Sequence, residues 1–320
     1  MSFRRIGMIV GLLTAGTIAT AWFGREPLLA WYYTHRLATA DDGDVERWTA
    51  ALVASGSAVE ARLWDLLNDN DATRCHRIGQ ALVRRHADRL TAFAAELAAR
   101  APKLSPAGQA WALRYLADDP SADPAIVGGV IELGARHADA TVRAQAVRTA
   151  ARLGRAAPEA ITAMIQDPDP LVRQAVIVNF GSRRELLCDD DLLPRLHDVD
   201  RTVQRLARTA LRSRGLTEQQ VQMGRLLTDP RPAARLQLIA ILRDDSDLDL
   251  STWLRRLSQD PSPAVRAAAA RTAAELQVFQ LADRLSEMAE SDPDLTVRPI
   301  ADFHLRQIRT VRPASFEPQP

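Results

Sequence analysis

The chain has 320 residues, 47% of them hydrophobic and only 5% aromatic, and its 41 Lys and Arg against 40 Asp and Glu leave a formal charge of +1. That balance gives no bulk attraction to nucleic acid, and two cysteines without a C-x-x-C exclude a thiol redox motif and a zinc knuckle. Lys103 is the only lysine, and the apolar residues are mostly Ala and Leu, so the composition is that of an arginine-rich helical protein.

Ile6–Phe23 is an uncharged apolar run of 18 residues preceded by Arg4 and Arg5, near the lower length for a membrane-spanning helix. It predicts an uncleaved, single-pass anchor, followed by a juxtamembrane LLAWYY at Leu28–Tyr33 whose aromatics suit a bilayer interface. The expected location is the inner (cytoplasmic) membrane of a bacterium, with the rest of the chain on the extracytoplasmic side. Ala19-Thr20-Ala21 also fits a signal-peptidase site, so a secreted or periplasmic protein cleaved near Ala21 is the alternative. A buried first helix of a cytoplasmic protein is a third reading.

Residues 1–37 are therefore read as anchor and juxtamembrane helix, and 38–56 as an acidic linker with a leading helix capped by Asp44. From 57 to 310 helical patterns alternate without a period-2 strand, and 311–320, with three prolines, is expected to be a disordered tail.

The 57–310 region is organised by one recurring pair. Val142-Arg143, Val172-Arg173, Val203-Gln204, Ala234-Arg235, Val265-Arg266 and Val297-Arg298 follow one another at intervals of 30, 31, 31, 31 and 32 residues, the signature of stacked helical units. In the clearest unit, Thr252–Leu257 is the first helix, Asp260-Pro261-Ser262-Pro263 the break, and Val265–Leu276 the second helix, with Val265, Ala269, Thr272 and Leu276 on one face. The Thr hydroxyl is expected to bond a carbonyl one turn earlier in its own helix. Less regular copies begin at Val59, and Gln109–Arg114 aligns with Arg143–Arg148, giving about eight hairpins. Cys75 and Cys188 lie about four units apart, too far for a bridge.

The motif D-P-x-x-x-V-R-x-x-A, at Asp260–Ala269 and approximated at Asp167–Ala175, resembles HEAT repeats of the short bacterial, armadillo-like and PBS-lyase-like type, over roughly Val59–Arg309. The resemblance implies an all-α fold, an α-α superhelix whose second helices line a concave, protein-binding side. Gln204, Ala234 and Pro299 depart from the pattern. The wider family includes phycobilin lyase-like proteins and an alkylpurine DNA glycosylase, but no residue set of either maps onto this chain.

The sequence carries no phosphate loop, G-x-S-x-G or H-E-x-x-H motif, and its six histidines are scattered. Asp245–Asp249 imitates the start of a calcium loop but has Leu250 and Arg256 where Gly and Glu are needed. It reads as helix capping, as does Asp189-Asp190-Asp191, so neither metal nor cofactor is expected.

Two sets of arginines remain. Arg143, Arg173, Arg235, Arg266 and Arg298 read as structural, pairing with an Asp of an adjacent turn. Arg201, Arg205, Arg208 and Arg212, spaced 4, 3 and 4, with Arg148 and Arg271, form a candidate basic binding face, because the second helices are nearly free of acids. The leading reading is a membrane-tethered, non-enzymatic scaffold that binds a protein with an acidic segment along the concave face, with no nucleic-acid partner. The alternative is an enzyme or a cofactor- or chromophore-handling protein using the same groove.

Overall fold

The computed structural model describes residues 25–41, 43–154, 163–244 and 249–311, and every regular element among them is helical. The anchor run Ile6–Phe23, the tail 312–320 and most of the calcium-loop imitation, 245–248, lie outside the described residues. Among the described residues no helix is long and apolar enough to cross a membrane.

By its packing the chain falls into two compact units, one ending at Phe180 and the other beginning at Gly181. The first contains α1 (Arg25–Ala38), α2 (Val45–Val53), α3 (Ser57–Leu66), α4 (Ala72–Arg85), α5 (Leu90–Arg100), α6 (Pro106–Asp118), α7 (Pro124–Ala135), α8 (Ala140–Leu153) and α9 (Pro170–Phe180). The second contains α10 (Asp189–Leu192), α11 (Arg201–Ser213), α12 (Glu218–Leu227), α13 (Pro232–Asp244), α14 (Leu250–Leu257), α15 (Pro263–Glu275), α16 (Ala282–Ser291) and α17 (Val297–Val311). In the first unit the second helices α4, α6, α8 and α9 pack against one another in series, and in the second α13, α15 and α17 do the same.

Local sequence sets these boundaries. Asp71, Ser105, Asp123, Asp139, Asp200, Thr217 and Asp249 each accept a backbone N–H at a helix start. Asp44 does not: it precedes α2 without a side-chain cap. Pro299 sits in the first turn of α17, where its missing N–H has no helical acceptor to lose, so the helix runs from Val297 to Val311. The stretch Leu28–Tyr33, expected beside a membrane, packs within the first unit, with α1 burying Ala30, Thr34 and Leu37 against α2, α3 and α4 and leaving Leu28, Trp31 and Tyr32 exposed.

The seam follows the repeat. Val142, Val172, Val203, Val265 and Val297 are fully buried, and Ala234 is nearly so. Thr149 differs from expectation: it donates across the seam to the Leu113 carbonyl on α6, at 3.1 Å, rather than within its own helix. A wholly buried hydroxyl needs an acceptor, and the neighbouring helix supplies it.

Candidate functional site

The marker arginine defines a register that every unit shares. Arg143, Arg173, Arg235 and Arg266 each donate Nη1 to the carbonyl six residues behind, on the turn that starts their own helix, at 2.6–2.9 Å, and Arg298 makes the same bond through Nε. Three of them also reach forward with a two-pronged grip on the next turn's Asp: Arg143 on Asp167 (2.8 and 2.8 Å), Arg235 on Asp260 (2.6 and 2.9 Å) and Arg266 on Asp292 (2.9 and 2.7 Å). The planar guanidinium matches the carboxylate fork while a third nitrogen holds the carbonyl. These arginines therefore stitch neighbouring units together.

The same position is also filled by residues other than arginine. Cys75 donates to the Asp69 carbonyl at 3.2 Å, Gln109 to the Leu104 carbonyl at 2.9 Å and Gln204 to the Asp198 carbonyl at 2.5 Å. Burial pushes the Cys75 thiol up to about 11, so it is a neutral donor here. Six residues before the marker, the carboxylates of Asp69, Asp167, Asp198, Asp229, Asp260 and Asp292 each accept the N–H two residues on. His137 Nδ1 does this for Asp139, at 3.0 Å, so His137 holds a turn.

Five residues past the marker, each second helix faces solvent. In the first unit this position is Gln80, Arg114, Arg148 and Val178, and in the second it is Thr209, Ala240, Arg271 and Phe303, all exposed and none acidic. Val178 and Phe303 are 65% and 58% exposed. Arg148 has only a long contact to Gln145 (3.5 Å), and Arg271 makes no ion pair among the described residues.

The Arg201, Arg205, Arg208, Arg212 stripe lies on the exposed side of α11. Arg208 and Arg212 share Glu218 at the start of α12, at 3.6 and 2.7 Å, and Arg205 contacts Thr202. A single acid of the following first helix thus answers two of the four arginines. The acidic triplet is also engaged: Asp189 pairs with Arg214 (2.6 Å), Asp190 with Arg256, and Asp191 accepts the Cys188 N–H.

The feature that spacing alone misses is a cleft of about 280 Å³ between α4 and α6, lined by His76, Gln80, Val83, Arg84, Trp111, Arg114, Tyr115 and Asp118. Its floor is the stacked pair Trp111 and Tyr115, with ring centres 5.6 Å apart and planes within 15°. Gly79 makes that floor possible, because a Cβ there would lie 2.1 Å from Trp111 Cε2. Arg84 pairs with Glu46 at 2.6 Å, and Asp118 pairs with Arg152. Arg114 has no carboxylate, only His76 Nδ1 at 2.8 Å.

The tautomer follows from that contact. Arg114 can only donate, so Nδ1 carries a lone pair and the proton sits on Nε2, which lies 3.1 Å from the Gln80 amide nitrogen; a half-turn of that amide would bring its oxygen there to accept. Burial, then the charges of Arg114 and Arg77, pull the His76 pKa below its ordinary value. His76 is a neutral prop for a guanidinium that keeps its whole charge. Gly79 followed 32 residues later by Trp111 was the available signal, but a mid-helix glycine otherwise reads only as weak helix propensity.

Among known proteins, residues 223–302 match the family model described as HEAT repeats. No curated protein matches the sequence. Of solved structures, the chain is similar to the crystal structure of Cex1p at 14% identity, over 83% of this chain, with a TM-score of 0.26, and it spans 56% of that chain's length.

Proposed function

We propose that the protein is a scaffold that binds a partner protein along the solvent-facing side of its second helices, and that Ile6–Phe23 tethers it to a bacterial cytoplasmic membrane with the repeats outside. The observation that carries the binding reading is the fifth position after the marker, exposed in every unit, free of acids, and including three arginines and the bare apolar side chains of Val178 and Phe303. Aromatic, arginine and aliphatic anchors on a polar surround are what interface centres are made of. The cleft volume supports a side-chain-sized guest, since small-molecule and cofactor sites occupy roughly 300–1,000 Å³. The 18-residue apolar run after Arg4-Arg5 supports the tether.

Photo-crosslinkers placed at Arg148 and Val178 should capture the same partner in the native membrane, while one at the exposed first-helix residue Glu132 should not. Equal capture at all three would remove the face assignment. Carbonate-resistant sedimentation with an intact N-terminus, and repeats cut by protease only from the outer side, is the result expected of the tether. A soluble form beginning at Trp22 would replace it with a cleaved signal.

A further inference from the structure

The cleft between α4 and α6 brings a cation without a carboxylate beside a stacked aromatic pair. Of the charged groups that line it, Arg84 is answered by Glu46 and Asp118 by Arg152, whereas Arg114 is answered by a neutral imidazole. The charge left over is a single positive one, at the mouth of a space of about 280 Å³. The same cleft is lined by the stacked rings of Trp111 and Tyr115 and by Val83. The Tyr115 hydroxyl donates to Asp119 at 3.0 Å, so its polar end is satisfied away from the cleft and its ring presents only an apolar surface.

From this geometry we infer that the cleft is the specificity pocket of the partner-binding face, built to take a peptide carboxylate with an apolar side chain beside it. The carboxylate would accept from the two Arg114 nitrogens not committed to His76, and the apolar neighbour would lie on Trp111 and Tyr115. This rests on the scaffold reading above and names the chemistry its partner must show there. His76 acts as a positioning residue: as an acceptor without charge it fixes the guanidinium and leaves it free to attract an anion. A carboxylate in its place would cancel the site. Hydrogen bonds to charged partners in partly buried sites are about twice the strength of neutral ones, so loss of the Arg114 charge should be felt as a tenfold or greater loss of affinity.

The test uses the full-length protein in detergent and a labelled, acetylated and amidated octapeptide containing two Leu-Glu pairs, read by fluorescence anisotropy. A second peptide carries Gln for Glu, and a third carries Gln but ends in a free carboxylate. The expected result is binding of the first, at least tenfold weaker binding of the second, and an Arg114→Met variant that brings the first peptide down to the level of the second. Arg114→Met keeps the aliphatic stem, and an unchanged melting temperature establishes that it folds. Binding of the third peptide as tightly as the first assigns the site to a chain terminus, within the same carboxylate chemistry. Arg114→Lys should recover only part of the affinity, because a point charge replaces a fork.

Equal affinity for the Glu and Gln peptides, or an Arg114→Met variant that binds like the wild type, overturns the proposal. So does Arg114-dependent binding to vesicles containing phosphatidylglycerol without peptide binding, or complete displacement of the peptide by millimolar inorganic phosphate. Failure here with crosslinking retained at Arg148 and Val178 would leave the scaffold reading standing and remove only the pocket.

Discussion

The guanidinium of Arg266 closes on the Asp292 carboxylate with both arms, Nε to Oδ2 at 2.9 Å and Nη2 to Oδ1 at 2.7 Å, while Nη1 donates to the Asp260 and Pro261 carbonyls of the turn behind. One side chain thus fixes the distance between two consecutive turns. Both partners are buried, so the pair is costly to break: Asp292→Ala strands the guanidinium and should cost about 3–5 kcal/mol. The double variant Arg266→Met/Asp292→Leu removes both charges and should cost much less. Urea unfolding followed by hydrogen exchange at α15 and α17 measures this, and a single variant within ~0.5 kcal/mol of wild type would show that the ladder holds nothing.

The pH dependence has two parts of opposite origin. Burial acts to raise Asp167 and Asp292, but the hydrogen bonds from Arg143 and Arg266 outweigh it and hold both below the ordinary carboxylate value. Their stabilisation is complete above about pH 4 and fades as pH falls through the lowered folded values. His86 works the other way. It is 2% exposed, stacked on Phe93, and its Nε2 lies 3.3 Å from Glu60 without a hydrogen bond.

Burial lowers the His86 pKa, with Glu60 opposing, so between its folded value and about 6.5 the unfolded chain binds a proton that the folded chain does not. First-unit stability should therefore start to fall as pH drops below about 6.5. His86→Phe keeps the stacking and should flatten that part of the curve. An unchanged curve would assign the fall to other groups.

The ladder has a gap at Gln204, and it should be repairable. Gln204 bonds the carbonyl behind it but is too short to reach forward, and Asp229, at the place where the next carboxylate belongs, is held instead by Arg231 at 3.0 Å through two nitrogens. Those bonds hold the Asp229 pKa far below its usual value. Gln204→Arg alone should change little, because the carboxylate is taken. Combined with Arg231→Ser, which restores the residue found at the equivalent Ser262, it should raise the melting temperature of the second unit; a gain from Gln204→Arg alone, or none from the pair, would contradict this account.

How much of this is visible in the chain depends on whether identity or geometry carries the role. The Val-Arg interval and the buried valines could be read directly, because a seam position in a tight stack tolerates little change of size. Gln109 could be placed only because the residues after it align with Arg143–Arg148, and Cys75 not at all, because bonding a carbonyl is a task that Arg, Gln and a protonated thiol all perform, so the letters vary. The same holds for His137 in place of an Asp. Helical spacing finds the stripe Arg201–Arg212, but it is blind to Glu218, which begins the next helix and sets its one carboxylate against two of the four arginines. The cleft was hidden for a related reason: it forms only where α6 approaches α4, and no property of either helix alone announces that approach.

Gly79 sets that approach and gives a sharp test of it. In a helix interior, Gly→Ala normally stabilises by about 1 kcal/mol. Here the added Cβ would stand 2.1 and 2.2 Å from the Trp111 ring carbons Cε2 and Cζ2, a collision that no rotation of a methyl relieves. Overpacking of this kind costs about 1–3 kcal/mol, so it should cancel or exceed the propensity gain and push the ring off the helix. Gly79→Ala is expected to be neutral to destabilising, with altered Trp111 emission in a background where the other tryptophans are replaced by phenylalanine, and with loss of the Leu-Glu peptide. A clear rise in stability with unchanged emission would mean that the two helices do not meet through this glycine.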